Sequence, residues 1–225
     1  MGAFDIIVGA MSITVASLTL LLAAAQEAPA QTTSEPAIAV VDDVAEETAV
    51  EAVEEDLVTV ALDTTMGRIV LALDRGRAPI TTANFLAYVD DGYLEFAEFY
   101  RAMPFGDTGL AQFGVRRLDK THDPIAHEPT NETGLKHERG TIALINAGPG
   151  TGRSDFYIAI APIPGFDCCD NGPGFAPFGQ VIEGMDVVEA IYNAPIDPDA
   201  GEGVMKGQMI ADPVKITGAE RIEAD

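Results

Sequence analysis

The chain of 225 residues has room for one ordinary domain with appendages, and it shows no internal repeat of the kind that builds a solenoid or propeller. Its formal net charge is −23; residues 1–56 hold 11 acids and no Lys or Arg, and the remainder sets 25 acids against 13 bases. Without a basic stripe to displace counterions, DNA and RNA are excluded as partners, and the acidity reads as a means of solubility.

Residues 6–25 are uncharged and apolar and end in Leu20-Leu21-Leu22-Ala23-Ala24-Ala25. Ala23 and Ala25 fit a small-residue cleavage pattern before Gln26, so residues 1–25 read as a signal peptide. The alternative is an uncleaved membrane anchor, because about 20 apolar residues suffice to span a bilayer. Either reading exports the rest of the chain, to the periplasm, with membrane attachment only through this segment. Residues 26–56 are rich in Ala, Glu, Val, Pro and Thr and contain no aromatic residue. Such a composition buries too little apolar area to offset its ordering entropy, which predicts an acidic disordered linker.

The folded domain is expected over residues 57–225. Val58, Val60 and Leu62, then Ile69, Leu71 and Leu73, alternate with strand period around a turn at Thr65-Met66-Gly67, predicting a hairpin. A helix is predicted from Pro79 through Phe85, Leu86 and Val89, with Gly92 at its C-terminal end. Strands are expected at residues 98–103 and 110–115, then a long loop to residue 139. Two more flank a Gly-rich loop, at residues 141–145 and 156–160. A strand at 178–181, a helix at 185–193 and a last strand at 213–217 complete the chain. At least seven short strands and two helices, separated by turns and loops, predict a closed antiparallel barrel with helical plugs.

Few residues invite metal or redox chemistry. Cys168 and Cys169 are adjacent, which is closer than a relaxed disulfide prefers, so free thiols are expected. His122, His127 and His137 lack zinc-site spacing and read as exposed loop residues. No metal and no cofactor is implied.

The Gly-rich loop, Asn146-Ala147-Gly148-Pro149-Gly150-Thr151-Gly152-Arg153, allows two readings. As a phosphate cradle it would need a Lys where Arg153 stands and a helix after it, whereas Asp155-Phe156-Tyr157-Ile158 is strand-like. As a peptide platform it resembles the signature of cyclophilin-type peptidyl-prolyl isomerases. Further segments carry the same resemblance in the same order. Phe99-Tyr100-Arg101 is similar to the family's Phe-His-Arg, and Leu110-Ala111-Gln112 to its Met-x-Gln. Ser154 to Ile158 is similar to Ser-Gln-Phe-Phe-Ile, and Phe178 to Met185 to Phe-Gly-x-Val-x-x-Gly-Met.

The resemblance implies an eight-stranded antiparallel barrel with two capping helices, and an enzyme that rotates X-Pro bonds in client polypeptides, acting as a monomer. It implies Arg101 as the catalytic residue. Tyr100, Leu110, Gln112, Ile145, Asn146, Ala147, Asp155, Tyr157, Phe166 and Phe175 would bind substrate. Gln112 lies eleven residues after Arg101, three more than the family pattern, and Gly109 takes the place of an aromatic at the pocket edge, where Phe105 is the candidate substitute. Phe166 lies near the place of a familiar Trp, and Phe175 stands where many members carry His. A non-catalytic peptide-binding or scaffold module is the alternative function. Strand alternation adds an independent expectation: Leu110 and Gln112 share one face, as do Asp155 and Tyr157, with Phe113, Val115, Phe156 and Ile158 opposite.

Overall fold

The computed structural model describes residues 56–169 and 171–223, so the expected leader and all but the last residue of the expected linker lie outside the described residues. The predicted hairpin is β1 (Leu57–Thr64) and β2 (Gly67–Asp74), followed by α1 (Pro79–Asp90). Strands β3 (Ala97–Phe105) and β4 (Thr108–Val115) come next, then a four-residue helix, α2 (Thr130–Thr133), inside the expected long loop. Strands β5 (Thr141–Leu144), β6 (Asp155–Ala159) and β7 (Ala176–Glu183) precede α3 (Met185–Tyr192). The two-residue β8 (Ile196–Asp197) and the long β9 (Met209–Ile222) complete the described chain.

The strands form a closed antiparallel barrel in the order β1-β2-β7-β5-β6-β4-β3-β9, with β9 returning to β1 and β8 added beside β9. Closure explains why β9 runs far beyond the expected residues 213–217. Its first half pairs with β3 and its second with β1, so its length answers two partners and not a local pattern.

The interior is aromatic and aliphatic. Phe85 of α1 meets Phe156 and Phe178 at ring-centroid distances of 5.0 and 5.5 Å, and Phe113 meets Phe99 at 4.7 Å. Val188 and Ile191 of α3 are fully buried in the same core. Phe113, Val115, Phe156 and Ile158 all belong to it, as the alternation predicts.

Two local expectations change. The three extra residues between Arg101 and Gln112 lengthen the β3–β4 hairpin without disturbing it. Arg101 pairs with Gln112, Met103 with Leu110 and Phe105 with Thr108 around a turn at Gly106-Asp107. The hairpin stays in continuous register from Arg101–Gln112 to its tip. Cys168 and Cys169, expected as free thiols, form a disulfide; Cys168 N–H is fixed by Thr130 Oγ1 at 2.9 Å.

The N-terminus of α1 shows how distant residues complete local structure. Ala78 precedes the helix and has no capping side chain. Glu128 supplies the cap from 48 residues away: its carboxylate accepts Ile80 N–H at 3.0 Å and Thr81 N–H at 2.7 Å, and the Thr81 hydroxyl at 2.7 Å. A carboxylate suits this position because the first amides of a helix are unpaired and the helix dipole is positive there. Glu128→Ala should lower unfolding free energy by about 2–3 kcal/mol, as expected for losing charge-assisted hydrogen bonds in a buried place. Urea denaturation monitored by circular dichroism measures this, and Glu128→Gln should lose less.

Candidate active site

The site is built on the outer face of β3, β4, β5 and β6, opposite the main core. Strand geometry alone would put Tyr100 and Arg101 on opposite faces. A bulge in β3 prevents this. The register slips between Phe99 and Arg101 against both neighbouring strands, β4 and β9. Phe99 and Ala102 face the core while Tyr100 and Arg101 both reach Gln112 outside it. A bulge of this kind re-aims a side chain, and here it turns the only cation of β3 outward.

Arg101 is half-buried and held from two sides. Its Nη1 donates to Gln112 Oε1 on β4 at 3.0 Å. Its Nε and Nη2 donate to Gln208 Oε1, just before β9, at 2.9 and 2.6 Å. Gln208 also accepts Ala102 N–H through its backbone oxygen at 3.0 Å. A guanidinium has five N–H groups and no acceptor, so three are engaged and one on each Nη is left for a ligand. Both partners are neutral amides, so the positive charge is positioned without being compensated. Burial lowers the pKa of Arg101, but an arginine stays protonated in proteins.

The network runs on in one direction. Because the guanidinium only donates, Gln112 must present Oε1 to it and Nε2 to Tyr100. Nε2 donates to the Tyr100 hydroxyl, which donates to Asp155 Oδ1 at 2.7 Å. Burial, reinforced by the Asp155 carboxylate, pushes the Tyr100 pKa well above the usual tyrosine range, so this hydroxyl keeps its proton. Arg116 stacks on the Tyr100 ring at 4.3 Å.

Beside Arg101 lies a second apolar cluster formed by Leu110, Ala143, Tyr157, Ala159 and Ile163, with Met103, Ile145, Phe166 and Phe175 packed on it. The structure corrects the expected slot here. Tyr157 is 0% exposed and Leu110 3%, so they are its floor and not its open walls. The aromatic surface above them belongs to Phe166 and Phe175, whose rings lie 4.9 Å apart and 5.9 and 5.7 Å from Tyr157. Phe105, at the tip of the lengthened hairpin, reaches Phe166 at 5.5 Å. Gly109 is closed off instead, because a Cβ there would sit 2.6 Å from the Tyr192 ring.

Asn146 and Ala147 border this aromatic surface in a cavity of about 370 Å³. Among the described residues, neither the backbone N–H nor the C=O of Asn146 has a partner, which leaves both for an incoming chain. Its side chain accepts Gly148 N–H at 3.1 Å and so shapes the loop. Gly152 must lack a side chain, since a Cβ would lie 2.7 Å from Leu144 Cδ2. The loop enters β6 directly, with no helix to hold a phosphate, and the nucleotide reading fails there.

The segment that carries Phe166 is tied down by a buried histidine. His137, expected as an exposed loop residue, is 1% exposed. Its backbone oxygen accepts Ile163 N–H at 2.8 Å, and its Nδ1 donates to Asp167 Oδ1 at 2.7 Å.

The sequence matches the family described as cyclophilin type peptidyl-prolyl cis-trans isomerase/CLD over residues 58–221. The chain belongs to that family. A peptidyl-prolyl cis-trans isomerase of Streptomyces antibioticus is 34% identical over 166 residues, covering 71% of this chain and 99% of its own length. One from Acinetobacter baylyi is 34% identical over 138 residues, covering 60% and 72% respectively. The crystal structure of a Cryptosporidium parvum cyclophilin has the same fold, with a TM-score of 0.60 at 21% identity, covering 75% of this chain and 99% of that one. This cyclophilin is therefore a peptidyl-prolyl cis-trans isomerase. One residue of its site escaped the sequence: Gln208 lies just before β9, ahead of the expected last strand at residues 213–217 and outside the family segments. Only its hydrogen bonds to Arg101 mark it.

The His137 anchor has a pH signature. Burial lowers the His137 pKa, against the opposing pull of Asp167. The unfolded chain binds a proton at about pH 6.5, before the folded one does. The neutral ring's contribution is thus complete above that pH and is lost as pH falls toward the folded value. The stability margin of wild type over His137→Asn should narrow between pH 7.5 and 5.5 in paired denaturation curves.

Proposed function

We propose that Arg101 is the catalytic group, acting on X-Pro bonds of exported client proteins. The observation that carries the assignment is the guanidinium clamped between Gln112 and Gln208, with two donors left over, on the strand ladder that runs through Gln112 to Tyr157, on whose cluster Phe166 and Phe175 pack.

Amide resonance places a barrier of about 18–20 kcal/mol on prolyl rotation, and uncatalysed exchange takes on the order of tens to hundreds of seconds. No nucleophile is required. The prolyl ring rests on Phe166, Phe175 and Phe105, over the floor of Tyr157 and Leu110. The flanking backbone pairs with Asn146 beside Ile145 and Ala147. As the bond twists, the nitrogen regains a lone pair, and a free N–H of Arg101 donates to it. This contact exists only in the twisted state, so it lowers the barrier without tightening ground-state binding. Gln112 and Gln208 fix the guanidinium beforehand, and Tyr100 and Asp155 fix Gln112. A relative from Cryptosporidium parvum, crystallised in the presence of the dipeptide Ala-Pro, supports a proline-containing ligand for this surface.

Export is supported by the apolar run at residues 6–25, with its small-residue pattern before Gln26. Fractionation with N-terminal sequencing of the mature protein tests it; a cytosolic protein would overturn it.

Arg101→Ala should reduce kcat/KM on a proline test peptide by about two decades, the equivalent of a charge-assisted hydrogen bond of ~2–3 kcal/mol at about 1.36 kcal/mol per decade. Gln208→Ala should reduce it by about tenfold, mostly in kcat, because it loosens the cation and leaves the binding surface intact. Exchange NMR reads both, and unchanged exchange in Arg101→Ala would refute the assignment.

A further inference from the structure

Resting on the isomerase reading, we propose that this enzyme selects prolines with an acidic side chain a few residues away, received by a basic pocket at Arg116 and Arg153. A cavity of about 600 Å³ lies across Asn146 and Ala147 from the aromatic one, and the two cavities share those two residues. Asn146 is the ridge between them. A chain that lays its prolyl ring on Phe166 and Phe175 and crosses the ridge presents a neighbouring side chain to the second cavity. Because the two cavities share Asn146 and Ala147, that neighbour lies within a few positions of the proline.

The charge of this second cavity is unlike the rest of the domain. Arg68, Arg75, Arg77, Arg139 and Arg221 each meet a carboxylate at 2.5–2.7 Å. Among the described residues, Arg153 meets none within 4.0 Å, although acids outnumber bases about two to one in the domain. Arg116 has only Glu98, at 3.8 Å, and lies over the neutral Tyr100 ring. Both are exposed and both line the cavity. The one carboxylate lining it, Asp155, already accepts the Tyr100 hydroxyl through Oδ1. Val115 and Ile145 add apolar wall for the methylenes of a glutamate. A single acid reaching this pocket meets a lining of two cations against one anion. A long acidic run is repelled by the domain around it.

The test uses peptides with one proline and Glu, Gln or Lys placed two residues before it or two after it. Exchange NMR gives kcat/KM and chemical-shift titration gives affinity. The expected result is a Glu-over-Gln preference of about 3- to 10-fold at one of the two positions, the range that two exposed ion pairs supply. Raising salt should narrow it. Arg153→Glu should turn the preference toward Lys, and Arg116→Gln with Arg153→Gln should abolish it. Equal affinity and equal kcat/KM for all three residues at both positions would overturn the proposal, as would a Glu preference that survives the double substitution. Glu-selective binding with no exchange catalysis on any peptide would uphold the pocket and overturn the isomerase reading.

Discussion

A half-buried cation with no negative partner among the described residues is the constraint around which this site is arranged. Burial alone disfavours the charge of Arg101, and a carboxylate beside it would relieve that cost while consuming the field proposed to act on the substrate. The chain uses two amide oxygens instead, one from β4 and one from the residue just before β9. The amides satisfy three N–H groups and set the orientation of the guanidinium, and the charge remains available to a ligand. The cost of holding a cation this way falls on the surroundings. Gln112 must itself be fixed by Tyr100, and Tyr100 by Asp155.

The bulge at Tyr100 makes that arrangement sterically feasible. Without it, the cation would follow strand alternation into the aromatic core, next to Phe99 and Phe113. With it, the phase of β3 shifts, so that Ala102 returns to the core and Met103 joins the outer cluster. The lengthened hairpin beyond the bulge keeps a continuous register, with Ala102 to Phe105 paired to Ala111 to Thr108. Its tip then brings Phe105 to the edge of the aromatic surface, compensating for the small residue at Gly109.

The aromatic surface depends on packing outside the barrel. Tyr157 carries a buried hydroxyl with no partner among the described residues, and burial pushes its pKa well above the usual range. Its ring supports Phe166 and Phe175, while His137 and Thr130 secure the segment between them through Asp167 and Cys168. The charge and the aromatic surface proposed to act on the prolyl bond thus come from separate parts of the chain. The shared outer face of β3, β4, β5 and β6 brings them together.

Much of this was legible in the residues. Period-two alternation in Val58–Leu62, Leu110–Val115 and Asp155–Ile158 reports which side chains face the core, because pleat geometry is local. Turn residues and the Gly-rich loop mark where strands end, and the ordered family segments point to Arg101, Gln112 and Asn146. The length of β9, the cap from Glu128, the outward aim of Arg101 and the clamp from Gln208 left no local trace. Each depends on a partner 48 or more residues away or on a register set by two neighbouring strands at once. Local alternation determined the faces of the barrel; closure of the sheet decided which distant side chains meet on them.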